Sequence, residues 1–297
     1  CAFCIARIVF AMIDVTIQNF ESELIQASMQ QPVLLDLWAP WCGPCKVLGP
    51  LLEKLEVAYV GRFKLAKCNS DEQPEIAGQL SQAFGVRSIP FCVLFKQGQP
   101  VDGFVGALPE AQIRAFLDKH VPTPDELEAE AEVDEAETLI AEGDPDAALV
   151  KLQQAVAIDP ANDDARVDYL KLLLGRGALA QAESAFEPVA KKAALDARFD
   201  AIGHWLAAQR KALGARSPDA LAAAIGANKR DFEARFELAQ SHFAAGRFTA
   251  AMDELLEIVM RDKAWSSDLA RKTYVAILAV MAKPAPKPAA GEAKGAL

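Results

Sequence analysis

The segment W-C-G-P-C at residues 41–45 constrains the fold of this chain more than any other feature. It follows the apolar run 33–38 and opens a stretch of helical spacing, which predicts two thiols at a strand-to-helix corner. At a helix N-terminus, free backbone N–H groups and the helix dipole favour a thiolate. The sequence therefore predicts that Cys42 is the reactive thiol and that Cys45, one turn into the helix, is a buried resolving thiol.

A C-x-x-C pair also occurs in zinc sites and as two inert core cysteines. Structural zinc takes about four ligands, and no second cysteine pair follows at the spacing of a zinc finger. The three histidines are scattered at His120, His204 and His242. The pattern thus favours redox chemistry over a metal site.

Residues outside the motif also match thioredoxin, so that the sequence resembles this family over about residues 12–121. Asp36 interrupts the apolar run before the motif, and Pro90 precedes another strand-like run. The resemblance implies that Asp36 exchanges a proton with the resolving thiol, that Lys67 lies near it, and that Pro90 is a cis-proline facing the cysteines. For Asp36, the alternative is a strand-end aspartate without a catalytic role.

The same resemblance implies a redox-active disulfide between Cys42 and Cys45 and an apolar rim where a protein substrate docks. The implied rim residues are Trp41, Gly43, Pro44, Ile89 and Gly106. It further implies a protein-disulfide reductase that uses no cofactor and no metal. Thioredoxin reductase would be its reductant.

Charge and cysteine content narrow the partners and the compartment. The formal net charge is −10 and the pI is near 5.0, whereas proteins that bind nucleic acids or anionic lipids usually carry clustered Lys and Arg. Six cysteines in 297 residues are too few for a disulfide scaffold, and Gly-Pro between the active cysteines is typical of the reducing members of the family. We expect protein partners, no nucleic acid, no membrane and a cytoplasmic location.

The chain is too long for one such domain, and its composition divides it. Residues 1–11 are predicted to be an N-terminal extension, either a truncated signal sequence or, by preference, residues upstream of the true start. The thioredoxin domain spans 12–121 and a Pro-rich linker spans 122–126. The Pro- and Ala-rich segment 283–297 is predicted to be disordered.

A 34-residue period marks the remaining region, 127–282. Three glycines lie one and two periods apart, with an alanine five residues after each and a bulky apolar residue nine after each. These sets are Gly143, Gly177 and Gly246; Ala148, Ala182 and Ala251; and Leu152, Phe186 and Leu255. The pattern resembles diverged tetratricopeptide repeats, about four units, with a degenerate unit at 197–229 and a capping helix at about 267–281. An ordinary Ala- and Leu-rich helical bundle is the alternative.

Two further cysteines, Cys68 and Cys92, lie in strand-like runs of the first domain. Cysteine in such a run usually behaves as a small buried apolar residue, and that is the prediction for both. Cys92 is the more interesting of the two because it lies two residues from Pro90 and could approach the active pair.

The predicted fold class is therefore an α/β thioredoxin fold, with a mixed central sheet flanked by helices, followed by an all-α repeat domain. This pairing resembles the bacterial chaperedoxin family. The resemblance implies a thiol-disulfide oxidoreductase that also holds oxidised or unfolded protein clients and passes them to chaperonin and other refolding chaperones. The alternative is mainly a holdase, whose thioredoxin unit forms mixed disulfides without efficient turnover.

Overall fold

The structure is a computed structural model that describes residues 13–282. The predicted extension at 1–11 and the predicted tail at 283–297 lie outside the described residues. The described part of the chain divides into two compact units, one that ends at Thr123 and one that begins at Pro124.

The first unit is built on a mixed five-stranded sheet with strand order β1-β3-β2-β4-β5. The strands are β1 Ile13–Asp14, β2 Val33–Trp38, β3 Lys64–Asn69, β4 Phe91–Lys96 and β5 Gln99–Val105. The pairings β1–β3 and β3–β2 are parallel, and β2–β4 and β4–β5 are antiparallel. Strand β1 has two residues, because the Thr16 backbone N–H donates to the Asn19 side chain and the chain turns there.

Helices cover both faces of this sheet. A π-helical segment, Glu21–Gln26, continues into α1, Ala27–Gln30. The other helices of the unit are α2 Gly43–Ala58, α3 Pro74–Phe84 and α4 Glu110–His120.

The alternation of side chains along each strand determines which of them face helix α2. Successive residues of a strand point to opposite faces. Leu34, Cys92 and Leu94 share one core cluster with Leu48 and Leu52 of α2, whereas Leu35, Leu37 and Val93 belong to the cluster on the opposite face. Asp36 is two residues from Leu34, so its carboxyl lies on the α2 side of the sheet.

The second unit is entirely helical over its described residues. Its helices are α5 Pro124–Glu142, α6 Pro145–Ile158, α7 Asp163–Gly175, α8 Leu179–Phe186, α9 Ala197–Ala212, α10 Pro218–Ala227, α11 Phe232–Ala244, α12 Phe248–Arg261 and α13 Leu269–Met281. Helix α5 begins inside the segment 122–126 that the sequence assigns to a linker, because proline is well tolerated in the first helical turn. A mixed sheet flanked by helices, followed by helices alone, confirms the predicted fold class.

The recurring glycines lie just after α5, α7 and α11 and have positive φ angles. The φ values are 85° at Gly143, 71° at Gly177 and 70° at Gly246. An L-residue with a side chain rarely adopts this conformation, whereas glycine adopts it without steric cost. The period in the sequence therefore corresponds to the turn inside each of these three helix pairs.

A second periodic feature, which the sequence analysis missed, joins the two helices in three of the pairs. At the fourth position of α7, Arg166 donates to the Ala185 and Pro160 carbonyls. One double period later, Arg235 donates to Glu254 and to the Lys229 carbonyl. One period before Arg166, Glu132 pairs with Lys151 at 3.0 Å, which is the Arg235–Glu254 ion pair with the acid and the base exchanged. Each tie spans 19 residues.

The middle of the repeat unit departs from regular pairing. Helix α8 ends at Phe186 and continues as a 3-10 segment, Glu187–Ala194, because Pro188 lacks the N–H that an α-helix needs. Helix α9 packs against α7, α11 and α13, and α10 packs against α11. The sequence predicts the degenerate unit and the terminal helix but not this packing. Over residues 13–282, none of the helices has the length and apolar character that crossing a membrane requires.

Candidate active site

Cys42 and Cys45 form a disulfide at the N-terminus of α2. Cys42 is the N-cap residue, and the Cys45 backbone N–H donates to Cys42 Sγ at 3.2 Å. A backbone donor aimed at sulfur, together with the positive end of the helix, stabilises negative charge on Cys42 when the disulfide is reduced. The corner can therefore hold a thiolate at Cys42.

Exposure does not separate the two cysteines. Cys42 is 3% exposed and Cys45 is 4% exposed in this oxidised form, although the sequence predicts burial for Cys45 alone. Both cysteines belong to one buried cluster with Ala39, against which Ile89 packs, and the Cys42 N–H donates to the Ala39 carbonyl. The assignment of Cys42 as the reactive thiol therefore depends on its position at the helix N-terminus, not on greater exposure to solvent.

The predicted rim residues surround this disulfide in different ways. Trp41 is 70% exposed, and Gly43 and Pro44 are exposed beside it. The Ile89–Pro90 peptide bond is cis, and Pro90 is buried. The Gly106 N–H donates to the Pro90 carbonyl at 2.8 Å, with Gly106 at a φ of 85°. A hydrogen bond thus ties the Pro90 loop to the end of β5.

A carboxylate that the sequence analysis missed fixes the exposed tryptophan. Trp41 Nε1 donates to Asp71 Oδ2 at 2.9 Å. Asp71 lies in the turn after β3, 30 residues along the chain, and no local pattern marks it. A surface groove runs beside this pair and is lined by Trp41, Pro74, Ala77, Val86 and Ile89 among others.

Asp36 is buried in the middle of β2, the strand that precedes the corner, with 1% of its surface exposed. Burial raises its pKa from 3.8 to about 6, because an ionised carboxylate is poorly solvated there. The Lys67 charge and a hydrogen bond from Cys92 oppose this shift, and the Glu53 charge adds to it. At neutral pH this carboxylate is ionised and is a stronger proton acceptor than an exposed aspartate.

Lys67 lies directly beside Asp36 in the β2–β3 register. Its ammonium group forms a salt bridge with Glu53 of α2. Glu53 is a second carboxylate near Asp36 that the sequence analysis did not single out. Helical spacing places it on α2, but only the three-dimensional register brings it to Lys67.

Cys68 and Cys92 are free and buried, as predicted. Burial raises the pKa of the Cys68 thiol to about 12 and that of the Cys92 thiol well above its ordinary value. The Cys92 thiol donates to Asp36 Oδ1 at 3.7 Å. Within the described residues, His, Cys, Asp and Glu side chains do not gather in groups that could hold a metal ion.

Comparisons with known proteins bear on both units. A family model described as Thioredoxin matches residues 11–119, and two described as Tetratricopeptide repeat match residues 139–203 and 210–291. Thioredoxin 1 of Nostoc sp. is 41% identical over 111 residues, 37% of this chain and 98% of that protein. Thioredoxin 1 of Synechococcus elongatus is 43% identical over 107 residues, 36% of this chain and 94% of that protein. A thioredoxin of Chlorobaculum thiosulfatiphilum is 44% identical over 108 residues, with 36% and 94% covered.

Proposed function

This chain belongs to the thioredoxin family and is a thioredoxin-like disulfide oxidoreductase, and from that premise we propose that it reduces disulfides in protein clients that its tetratricopeptide repeats help to hold. The observation that carries the proposal is the Cys42–Cys45 disulfide at a helix N-terminus, together with a buried carboxylate, Asp36, on the strand that precedes this helix. Repeats of this kind stack into a surface for protein segments, which supports the second half of the proposal.

The proposed reaction begins with the reduced form. The Cys42 thiolate attacks one sulfur of a client disulfide, a mixed disulfide forms, and the other client sulfur leaves as a thiolate that takes a proton from solvent. Asp36 accepts the proton of Cys45. The resulting Cys45 thiolate attacks Cys42, which releases the second client thiolate and closes the Cys42–Cys45 disulfide. The client gains two electrons and the enzyme loses two.

Substrate docking is assigned to the rim. The assigned residues are Trp41 in the turn before α2, Gly43 and Pro44 in the first turn of α2, Ile89 in the loop before β4 and Gly106 just after β5. Ile89 packs against the buried cluster of Ala39, Cys42 and Cys45. Apolar and backbone groups around an otherwise covered disulfide suit an extended client segment. Pro90 and Lys67, which the resemblance to thioredoxin counts among the catalytic residues, have supporting roles in this proposal: Pro90 shapes the rim, and Lys67 lies beside Asp36.

The finer proposal is a redox-linked chaperone of the chaperedoxin type. Under it, the protein acts in the cytoplasm, binds oxidised or unfolded clients, receives electrons from thioredoxin reductase and passes clients to chaperonin and other refolding chaperones. The alternative is a holdase whose thioredoxin unit forms mixed disulfides without efficient turnover. Insulin reduction with thioredoxin reductase, compared with suppression of aggregation without a reductant, separates the two.

We expect the two activities to separate by unit. A Cys42→Ser, Cys45→Ser double variant should lose reduction and keep aggregation suppression, because serine cannot exchange disulfides and the repeats are unchanged. A chain ending at Thr123 should keep reduction and lose suppression. The measurement is insulin reduction and client light scattering for the full chain, the double variant, the shortened chain and residues from Pro124 onward. Inert repeats, together with a double variant that no longer suppresses aggregation, would contradict the holding role.

A further inference from the structure

Three side chains form a row across the middle of the sheet, on β3, β2 and β4. Lys67 and Cys92 flank Asp36 on its two neighbouring strands. We propose that Cys92 is a positioning residue for disulfide exchange: its thiol donates a hydrogen bond to Asp36 and favours the ionised, proton-accepting form of that carboxylate. The inference rests on the proton-accepting role proposed above for Asp36.

The contact is direct and shielded from solvent. Cys92 Sγ lies 3.7 Å from Asp36 Oδ1, within hydrogen-bonding distance for sulfur. Cys92 is 0% exposed and Asp36 is 1% exposed. Residues directly opposite on antiparallel strands have Cβ atoms about 5 Å apart, which brings short side chains into contact. The strand register therefore fixes this pair.

The direction of the hydrogen bond follows from the acidities of the two groups. The pKa of the Cys92 thiol is raised well above its ordinary value, first by burial and then by the charge of Asp36, so the thiol keeps its proton. A protonated thiol is a weak donor, and an ionised carboxylate only accepts. A donor to the charged form stabilises that form, so Cys92 opposes the effect of burial on Asp36.

The other charged groups that face Asp36 come from β3 and α2. Lys67 favours its ionised form and Glu53 disfavours it, and these two are paired with each other. On reduction, Cys45 of α2 is the proton donor in the proposed reaction. The charge of Lys67 is partly offset by Glu53. The thiol of Cys92, on the opposite side of Asp36, is a separate group that stabilises the ionised carboxylate.

Cys68 provides a matched control on the other neighbouring strand. It is also a buried free cysteine, but it pairs in register with Leu37 and packs in the core on the far face of the sheet. Cys68→Ala and Cys92→Ala remove the same atom from buried strand positions. They differ in whether that atom contacts Asp36.

The experiment follows the Asp36 carboxyl by carbon NMR titration in the full-length oxidised chain, alongside the pH profile of insulin reduction. Cys92→Ala should raise the titration midpoint of Asp36 by about half a pH unit or more, and the rise in reduction rate should move to higher pH by the same amount. At pH values below the midpoint, a shift of this size lowers the reduction rate of Cys92→Ala about threefold. Cys68→Ala should leave both midpoints unchanged.

An unchanged Asp36 midpoint in Cys92→Ala, or an equal shift in Cys68→Ala, would overturn the positioning role. If Cys92→Ala does not fold, infrared spectroscopy on the Cys68→Ala chain still tests the bond: an S–H stretching band should shift as Asp36 titrates, and a band independent of pH would overturn the proposal. Failure of the parent proposal is distinct. In that case Asp36→Asn would reduce insulin with a pH profile like that of the unmodified chain, whatever the NMR midpoints show.

Discussion

Replacing Cys45 by serine should convert the protein from a catalyst of disulfide reduction into a trap that retains its clients as mixed disulfides. Cys42 keeps its place at the start of α2, so attack on a client disulfide still proceeds. The escape step needs a second thiolate, which serine cannot supply. Multiple-turnover insulin reduction should fall by about a thousandfold or more. Non-reducing gels should show about one covalently bound client per chain at most.

The controls distinguish Cys42 from the other thiols. Cys42→Ser should neither turn over nor trap, because no nucleophile remains at the helix N-terminus. Cys68→Ser, Cys45→Ser should trap as well as Cys45→Ser alone, since Cys68 is buried in the core. Mass spectrometry of the trapped species should place the client on Cys42. Clients attached instead to Cys68 or Cys92 would show that the attacking thiol is misassigned.

Much of the corner was predictable because its signals are local. An apolar run, the W-C-G-P-C segment and helical spacing lie next to one another, and local periodicity determines which element forms. The glycines of the repeats were also predictable from the sequence, since the positive φ angle needed after α5, α7 and α11 favours glycine at each of these three turns.

What the sequence could not predict depends on contacts between distant segments. Asp71 meets Trp41 across 30 residues, and Cys92 meets Asp36 across 56. The pairing of Glu53 with Lys67 joins a helix to a strand. Alternation shows that a strand residue faces one side of a sheet, but only the register between strands shows which side chain stands opposite. For the same reason the packing of α13 against α9 has no counterpart in the 34-residue period.

Replacing Asp36 by asparagine should stabilise the oxidised thioredoxin unit by about 3 kcal/mol at pH 8 and by little at pH 4. Its pKa is 3.8 when solvated and about 6 in the fold. Between these values the folded state retains a proton that the unfolded state has lost, so the free energy of unfolding falls as the pH rises from about 4 to about 6. Above that window the full cost of burying a carboxylate remains. Asparagine has no such cost, because it does not ionise.

Hydrogen exchange is the suitable measurement, because a chain of two units need not unfold in one step. Amides of β2, β3 and β4 report the opening free energy of the sheet itself. Glu75→Gln, which changes an exposed carboxylate on α3, should keep the pH dependence of the unmodified chain. If Asp36→Asn is less stable at pH 8, attraction to Lys67 outweighs desolvation and Asp36 serves the fold.

The same variant should lose activity while it gains stability. Asparagine cannot accept the proton of Cys45, so insulin reduction should slow about tenfold or more near pH 7. The loss should shrink at higher pH, where solvent deprotonates Cys45 without help. A gain in stability together with a loss of rate in this one variant would show that the buried carboxylate serves proton transfer at a cost to the stability of the fold. Removal of a purely structural aspartate would instead lower both the stability and the rate.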